Sequence, residues 1–250
     1  MLNKKNYNRT DKTWHNIADD DNIWIKWRFN IVKNLIMNNK INLNKKMLCA
    51  DIGSGKGNFS NKLESISSFS VDRFDVDHQN KIRKSRGKFY LHDIKIKNKK
   101  FKSKYDMIFL LDVLEHIKND SSFLKDCKYY LKKDGLLIIN VPSIPELFSK
   151  YDVAVGHIRR YNVTALSRII RKNNYKIIKM HYWGFMLVPI LLVRTIFMTI
   201  LKLDKKAIIK KGMDTNNLIV KKIFEILYLI DFYVLRFKFF GTSIVGVIKK

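Results

Sequence analysis

Apolar positions at Ile23, Trp24, Trp27, Ile31, Leu35 and Ile36 recur at helical spacing and predict an amphipathic helix over 21–37. Beyond it the period shortens. Apolar runs at 47–50, 69–76, 87–91, 105–111, 136–141 and 175–180 predict strands, and helices are expected at 59–66, 121–131 and 164–172. Strands alternating with helices predict an α/β fold, a doubly wound, mostly parallel sheet covered on both faces. A last β pattern at 243–248, behind the turn Phe240-Gly241-Thr242, brings the expected sheet to seven strands.

Between the sixth and seventh strands lie two apolar segments, 182–201 and 218–240. The first approaches the length of a bilayer span, but Arg194 interrupts it and Pro189 would kink it. On a helical wheel Arg194, Thr195, Thr199 and Lys202 share one arc; in the second segment Lys221, Lys222, Glu225 and Arg236 share another, with Asp231 and Lys238 elsewhere. Both segments are therefore expected to be amphipathic helices rather than transmembrane spans. The domain reading is an N-terminal arm and cap helix (1–45), a main domain (46–182 with 241–250) and an apolar helical insertion (183–240). In a parallel sheet the sixth strand ends on the same edge as the first, so the insertion is expected to overhang whatever binds there.

Composition narrows the function. With 46% hydrophobic residues the chain can bury a core, so global disorder is excluded, and three prolines exclude a linker-rich architecture. Two cysteines, Cys49 and Cys127, give neither a disulfide framework nor a zinc cluster, and no metal is expected. Residues 1–21 are polar with no apolar stretch, which predicts a catalytic body facing the cytoplasm. The formal charge of +27 would attract phosphates, nucleic acid or anionic lipid. Yet Lys, Asn and Ile recur throughout, as an AT-biased coding sequence also produces, so charge decides no partner.

Ala50-Asp51-Ile52-Gly53-Ser54-Gly55-Lys56-Gly57-Asn58 joins the first strand to its helix. Alternate glycines let the backbone turn sharply and approach a ligand. A phosphate-binding P-loop needs Ser or Thr after Gly-Lys, and here Gly57 follows; the dinucleotide fingerprint needs glycine where Asn58 stands. The remaining pattern, acid-x-Gly-x-Gly-x-Gly, resembles motif I of the class I S-adenosylmethionine-dependent methyltransferases. Phe74-Asp75-Val76-Asp77 resembles that family's ribose-binding acidic site, and the role falls to Asp75, with Asp72 and Asp77 less favoured. His92-Asp93-Ile94 resembles its adenine site. Leu111-Asp112-Val113-Leu114-Glu115-His116 resembles the fourth-strand motif of the ubiquinone-biosynthesis-like branch, where it lines the methionine end of the cofactor. Leu131-Lys132-Lys133-Asp134-Gly135 resembles the turn into strand five, with Asp134 where the family usually has glycine. Singly, each acid reads as well as a cap or solvated turn; the ordered series carries the resemblance.

The resemblance implies a Rossmann-like methyltransferase fold with an antiparallel last strand, S-adenosyl-L-methionine as cofactor, and cofactor contacts at Asp51, Gly53, Ser54, Gly55, Gly57, Asp75, Val76, Asp93, Ile94, Leu111 and Asp112. Methyl transfer from a sulfonium needs a nucleophile held in line and water excluded. Gly156-His157-Ile158-Arg159-Arg160-Tyr161 resembles a segment of several methyltransferases in this branch. His157 or Tyr161 is expected to approach the acceptor while Arg159 or Arg160 holds an anionic group; His116 is a second candidate base. The bland alternative is an ordered loop with Arg paired to Asp152. No Asn/Asp-Pro-Pro-Tyr/Phe follows strand four, against methylation of exocyclic base amines. The expectation is a peripheral enzyme on the inner membrane face, methylating oxygen of a small or lipid-linked acceptor. An RNA methyltransferase and a catalytically silent cofactor-binding membrane protein are the alternatives.

Overall fold

Asn22 caps the first helix through its side chain, which accepts from the Trp24 N–H at 3.0 Å, and helix α1 runs Ile23–Asn38. It buries Ile23, Ile25, Trp27, Val32, Leu35 and Ile36. The computed structural model describes residues 22–76, 85–200, 207–209, 218–235 and 238–250. The expected arm, Asp77, Lys202, Arg236 and the Thr199 side chain lie outside the described residues.

The chain continues through β1 (Leu48–Ile52), α2 (Asn58–Ile66), β2 (Ser70–Asp75), β3 (Phe89–Leu91) and β4 (Tyr105–Leu111). Then come α3 (Asp120–Tyr130), β5 (Leu131–Pro142), α4 (Lys150–Val155), α5 (Val163–Lys172) and β6 (Lys176–Trp183). Helices α6 (Val188–Ile200) and α7 (Leu218–Leu229) precede β7 (Ser243–Lys249). The strands form one seven-stranded sheet in the order β3-β2-β1-β4-β5-β7-β6, parallel except for β7, which runs against β5 and β6. The period of two divides the core: Met107 and Phe109 pack on one face with Trp27, Leu35 and Leu63, while Ile108 and Leu110 pack on the other with Phe123, Leu124 and Ile170. Strands buried on both faces must be apolar, which is why β4 reads as an unbroken apolar run from Met107 to Leu111.

The expected doubly wound seven-stranded sheet with an antiparallel last strand is present. Boundaries differ in three places. Strand β3 is shorter than expected. Strand β5 begins at Leu131, because Leu131 pairs with Tyr105 and Leu136 with Met107 while the residues between bulge out. Asp134, on that bulge, has φ +62°, a conformation glycine takes without strain. Strand β6 runs on to Trp183, whose ring stacks on Trp24 at 4.8 Å and so extends the sheet under helix α1.

The insertion and α1 form one cover over the end of the sheet. Asn30 Nδ2 donates to the Tyr228 hydroxyl at 2.8 Å, and the Trp27 and Tyr228 rings meet edge to face at 5.3 Å. Asp231 accepts from the Gly184 N–H at 3.1 Å and the Met186 N–H at 3.3 Å, tying the end of the second segment to the entry of the first. Helix α6 is amphipathic as expected but sits with its polar side inward. The Arg194 guanidinium carbon lies 4.1 Å from the ring centre of Tyr151, while Val193 (67%), Ile196 (59%) and Ile200 (74%) are exposed. Among the described residues no helix is long and apolar enough to cross a membrane.

Candidate active site

The sheet order reverses between β1 and β4, and the crevice outside the carboxyl ends of those strands is where α/β sheets take ligands. The glycine loop turns there. The Gly53 N–H donates to the Phe74 carbonyl at 2.8 Å and the Gly57 N–H to the Ser54 carbonyl at 2.8 Å. Gly57, with φ +74°, begins α2 without a side-chain cap. Asp51 Oδ2 accepts from the Ser60 hydroxyl at 2.6 Å. Burial pushes the Asp51 carboxyl up to about 6, against the lowering effect of Ser60, Arg28 and Arg73.

Asp112, at the exit of β4, has φ +60°. Its carboxylate is ion-paired with Arg28 of α1 and accepts from Asn140 Nδ2, while Asn140 Oδ1 accepts from the Trp183 indole N–H at 2.8 Å. This chain joins α1, β4, β5 and β6 behind the crevice.

The loop after α4 is anchored by one carboxylate. Asp152 accepts from the Ser149 N–H (2.9 Å) and hydroxyl (3.1 Å), from His157 Nδ1 (2.9 Å), and from Arg160 Nε (2.9 Å) and Nη2 (3.0 Å). Burial alone would raise its pKa, but the bonds from His157 and Arg160 hold it well below the usual carboxylate range. Because that carboxylate only accepts, His157 carries its proton on Nδ1. His116 Nδ1 stands 2.9 Å from the Gly156 carbonyl, which fixes the same tautomer. The two imidazoles meet at 4.9 Å, and His157 Nε2 lies 3.8 Å from Glu115 Oε1. Glu115 is fully buried, and neither carboxylate oxygen accepts a hydrogen bond from another described residue. Desolvation, with Asp112 nearby, pushes its pKa well up.

A cavity of about 560 Å³ connects these parts. Its floor is Asp51, Gly53, Ser54, Gly55, Leu111 and Asp112; one wall carries Glu115, His116, His157 and Arg160; the other is Leu187, Ile190, Leu191, Val193, Arg194 and Phe197 of the insertion, with Val220 and Phe224. Gly57, Asp75, Val76, Asp93 and Ile94 lie outside its lining. Asp75 sits behind the loop, accepting from the Gly55 N–H at 2.9 Å. Asp93 accepts from the Lys95 N–H at 2.9 Å, closing a turn. Asp72 is structural: it takes the Tyr105 hydroxyl (2.9 Å), Lys104 Nζ (3.1 Å) and the Lys88 N–H (2.9 Å).

Of the expected acceptor groups, His116, His157 and Arg160 reach the cavity. Tyr161 does not: its buried hydroxyl donates to Asp120 at 2.9 Å. Arg159 pairs with the same Asp120 at 2.7 Å, outside the lining. Arg160, spent on Asp152 and on the Ser143 carbonyl at 3.1 Å, holds the loop in shape. Cys49 and Cys127 are buried, and burial pushes both thiols up.

A family model described as a methyltransferase domain matches residues 25–180. The chain belongs to that family. It is an S-adenosylmethionine-dependent methyltransferase. No curated protein sequence matches the chain significantly. Solved structures share the fold at low identity. One is a phosphoethanolamine N-methyltransferase from Haemonchus contortus, in complex with S-adenosyl-L-methionine. It is 16% identical over 90% of this chain and 52% of its own, with a TM-score of 0.58. Another is a 1,6-didemethyltoxoflavin-N1-methyltransferase from Burkholderia thailandensis, with S-adenosylhomocysteine bound. It is 11% identical over 95% of this chain and 84% of its own, with a TM-score of 0.57. A third is a SAM-dependent methyltransferase from Archaeoglobus fulgidus, 15% identical over 90% of this chain and 96% of its own, with a TM-score of 0.52.

The loop of this methyltransferase fits its cofactor. A Cβ on Gly53 would stand 2.8 Å from Val113 Cγ2, and one on Gly57 2.7 Å from Arg73 Nε, so neither position admits a side chain without displacement. The Ser54 hydroxyl is buried in the cavity lining with no hydrogen-bond partner among the described residues, so it is available to a ligand. Sequence reasoning missed Arg28, Glu115, Tyr151 and Arg194 in the lining. Glu115 stood inside the quoted fourth-strand motif. The expected pairing of an Arg with Asp152 is present through Arg160, but His157 binds the same carboxylate, and the capping box of Ser149 and Asp152 that starts α4 was not anticipated.

Proposed function

We propose that this methyltransferase transfers the methyl group of S-adenosylmethionine to an oxygen of a small or lipid-linked acceptor that enters past helix α6. The observation that carries this is the composition of the cavity along its length. Acidic and glycine residues lie at the sheet end, Glu115, His116 and His157 midway, and the mouth is apolar, with Val193 and Phe197 both lining the cavity and exposed. Bound at the glycine loop, the cofactor supplies an activated methyl carbon and a neutral leaving group. The chain's own part is to hold the acceptor in line and keep water out. Asp51 and Asp112 provide negative charge for the methionine end; Asp75, Val76, Asp93 and Ile94 are assigned to the nucleoside. The histidine wall receives the acceptor's hydroxyl, with Asp152 fixing the His157 ring.

The apolar side of α6 continues onto α7, where Ile223, Ile226, Leu229 and Tyr233 are exposed. Together with the +27 charge this supports peripheral contact with an anionic membrane on the cytoplasmic side, and so an acceptor drawn from lipid. The Leu111–His116 resemblance supports the ubiquinone-biosynthesis-like branch.

The test supplies the protein and methyl-deuterated cofactor to a membrane extract and reads products by mass spectrometry. A deuterated O-methyl group on a lipid-fraction product is expected. Label confined to RNA, or to nitrogen of water-soluble compounds, overturns the acceptor assignment. In parallel, the Val193→Glu/Phe197→Glu double variant is expected to lose co-sedimentation with phosphatidylglycerol vesicles while still binding cofactor.

A further inference from the structure

We propose that Glu115, His116 and His157 form a binding site for a zinc-like divalent transition-metal ion at the middle of the cavity. One donor atom from each lies within 4.8 Å of the other two. Two imidazoles and one carboxylate match the donor set of catalytic zinc sites that keep a position open. Atoms about 2.1 Å from a tetrahedral ion stand about 3.4 Å apart, so the triad must close by up to about 1.4 Å. Neither His116 nor His157 is fully buried, and small tilts of the rings about their Nδ1 hydrogen bonds can supply that movement.

The support behind the ligands is already built. A metal-bound histidine usually donates its other ring N–H to a carboxylate or a backbone carbonyl. His157 donates Nδ1–H to Asp152 at 2.9 Å, and His116 to the Gly156 carbonyl at 2.9 Å. Both rings therefore present their lone pair on Nε2.

Glu115 is the second, independent observation. Neither oxygen of its fully buried carboxyl accepts a hydrogen bond from another described residue, and burying such a group with so little compensation is costly. The neighbouring cations make their ion pairs with other carboxylates, Arg28 with Asp112 and Arg160 with Asp152, although the Arg28 charge also acts on Glu115. A divalent ion between Glu115 and the imidazoles supplies the missing partner, and all three ligands line the cavity, so its open position faces the acceptor.

The role of the ion rests on reading this wall as the acceptor's; the binding itself does not. A hydroxyl on the ion gives its proton to solvent water more readily. Its oxygen lone pair then forms the O–C bond as the S–C bond breaks, with that electron pair remaining on sulfur as a neutral thioether.

The full chain, stripped with a chelator and dialysed, is titrated with Zn2+ against a chromophoric competitor and separately with Co2+, whose absorption bands report its ligands. One ion per chain is expected, with low-symmetry cobalt bands. Glu115→Gln and His157→Ala should each weaken binding more than tenfold, and Asp152→Asn by about 10–100-fold through loss of the support. Circular dichroism checks that each variant folds; if one does not, the wild-type cobalt spectrum decides, and a spectrum unchanged from the aquo ion overturns the site. Absent zinc uptake, or uptake unaltered in the folded variants, overturns it too. Metal binding with methyl transfer indifferent to the ion keeps the site and overturns the acceptor reading.

Discussion

The Arg194 guanidinium lies over the Tyr151 ring, 4.1 Å from its centre, and this pairing turns the polar side of α6 inward. A desolvated cation–π contact contributes about 1–2 kcal/mol. Arg194→Ala should lower stability by about that amount in urea titration and loosen the wall of the cavity. An unchanged midpoint would mean that apolar packing alone seats the helix.

Asn140 carries a second constraint. It is fully buried, accepts from the Trp183 indole at 2.8 Å and donates to Asp112. Asn140→Leu keeps the volume but strands the buried Trp183 indole N–H, at about 1–3 kcal/mol, and leaves Asp112 with Arg28 alone. Thermal unfolding should show the loss, and cofactor affinity should fall because Asp112 loses one of its two anchors. Wild-type stability in this variant would show that water or rotation satisfies both groups.

These two contacts also mark the limit of what the sequence conveys. Periodicity identified the strands because β1, β4, β5 and β7 are buried on both faces, and the glycine loop was legible because Gly53 and Gly57 stand at positive φ against side chains. The inward polar face of α6 was not. A helical wheel shows that Arg194 and Val193 differ in direction, but only the tertiary partner, Tyr151 on α4, decides which side meets the protein. Likewise Arg159 and Arg160 are indistinguishable as neighbours in sequence. The folded loop gives one Asp120 and the other Asp152. Glu115 looked like one more charge at the end of a strand until the fold buried it.

Asp51 gives a pH dependence with a definite sign. Its carboxyl is raised by burial to about 6, so the folded protein holds this proton more tightly than the unfolded chain. The contribution of this group to stability therefore declines as pH rises from the ordinary carboxylate range through about 6. Cofactor binding has the opposite slope: the sulfonium and ammonium of S-adenosylmethionine are attracted by the ionised form. Affinity should rise with pH through about 6, and Asp51→Asn should flatten that step. A step of the same size in Asp51→Asn, read by calorimetry across this range, would assign it to another group.

The ribose assignment separates two neighbouring acids on β2. Asp75 sits at the strand's end with Oδ2 on the Gly55 N–H, behind the glycine loop that it steadies. Asp72 lies deeper, bonded to Tyr105 and Lys104, and serves the sheet. Hydrogen bonds to a charged group contribute about 1.5–3 kcal/mol, which is about 10–100-fold in affinity. Asp75→Ala should therefore weaken S-adenosylmethionine at least tenfold in calorimetry while the melting temperature changes little. Asp72→Ala should do the reverse, lowering the melting temperature because a buried tyrosine hydroxyl and a lysine lose their shared acceptor. If the two variants exchange these effects, the nucleoside is held one turn of the pleat further into the sheet than proposed, and Asp75 is only a brace for the glycine loop.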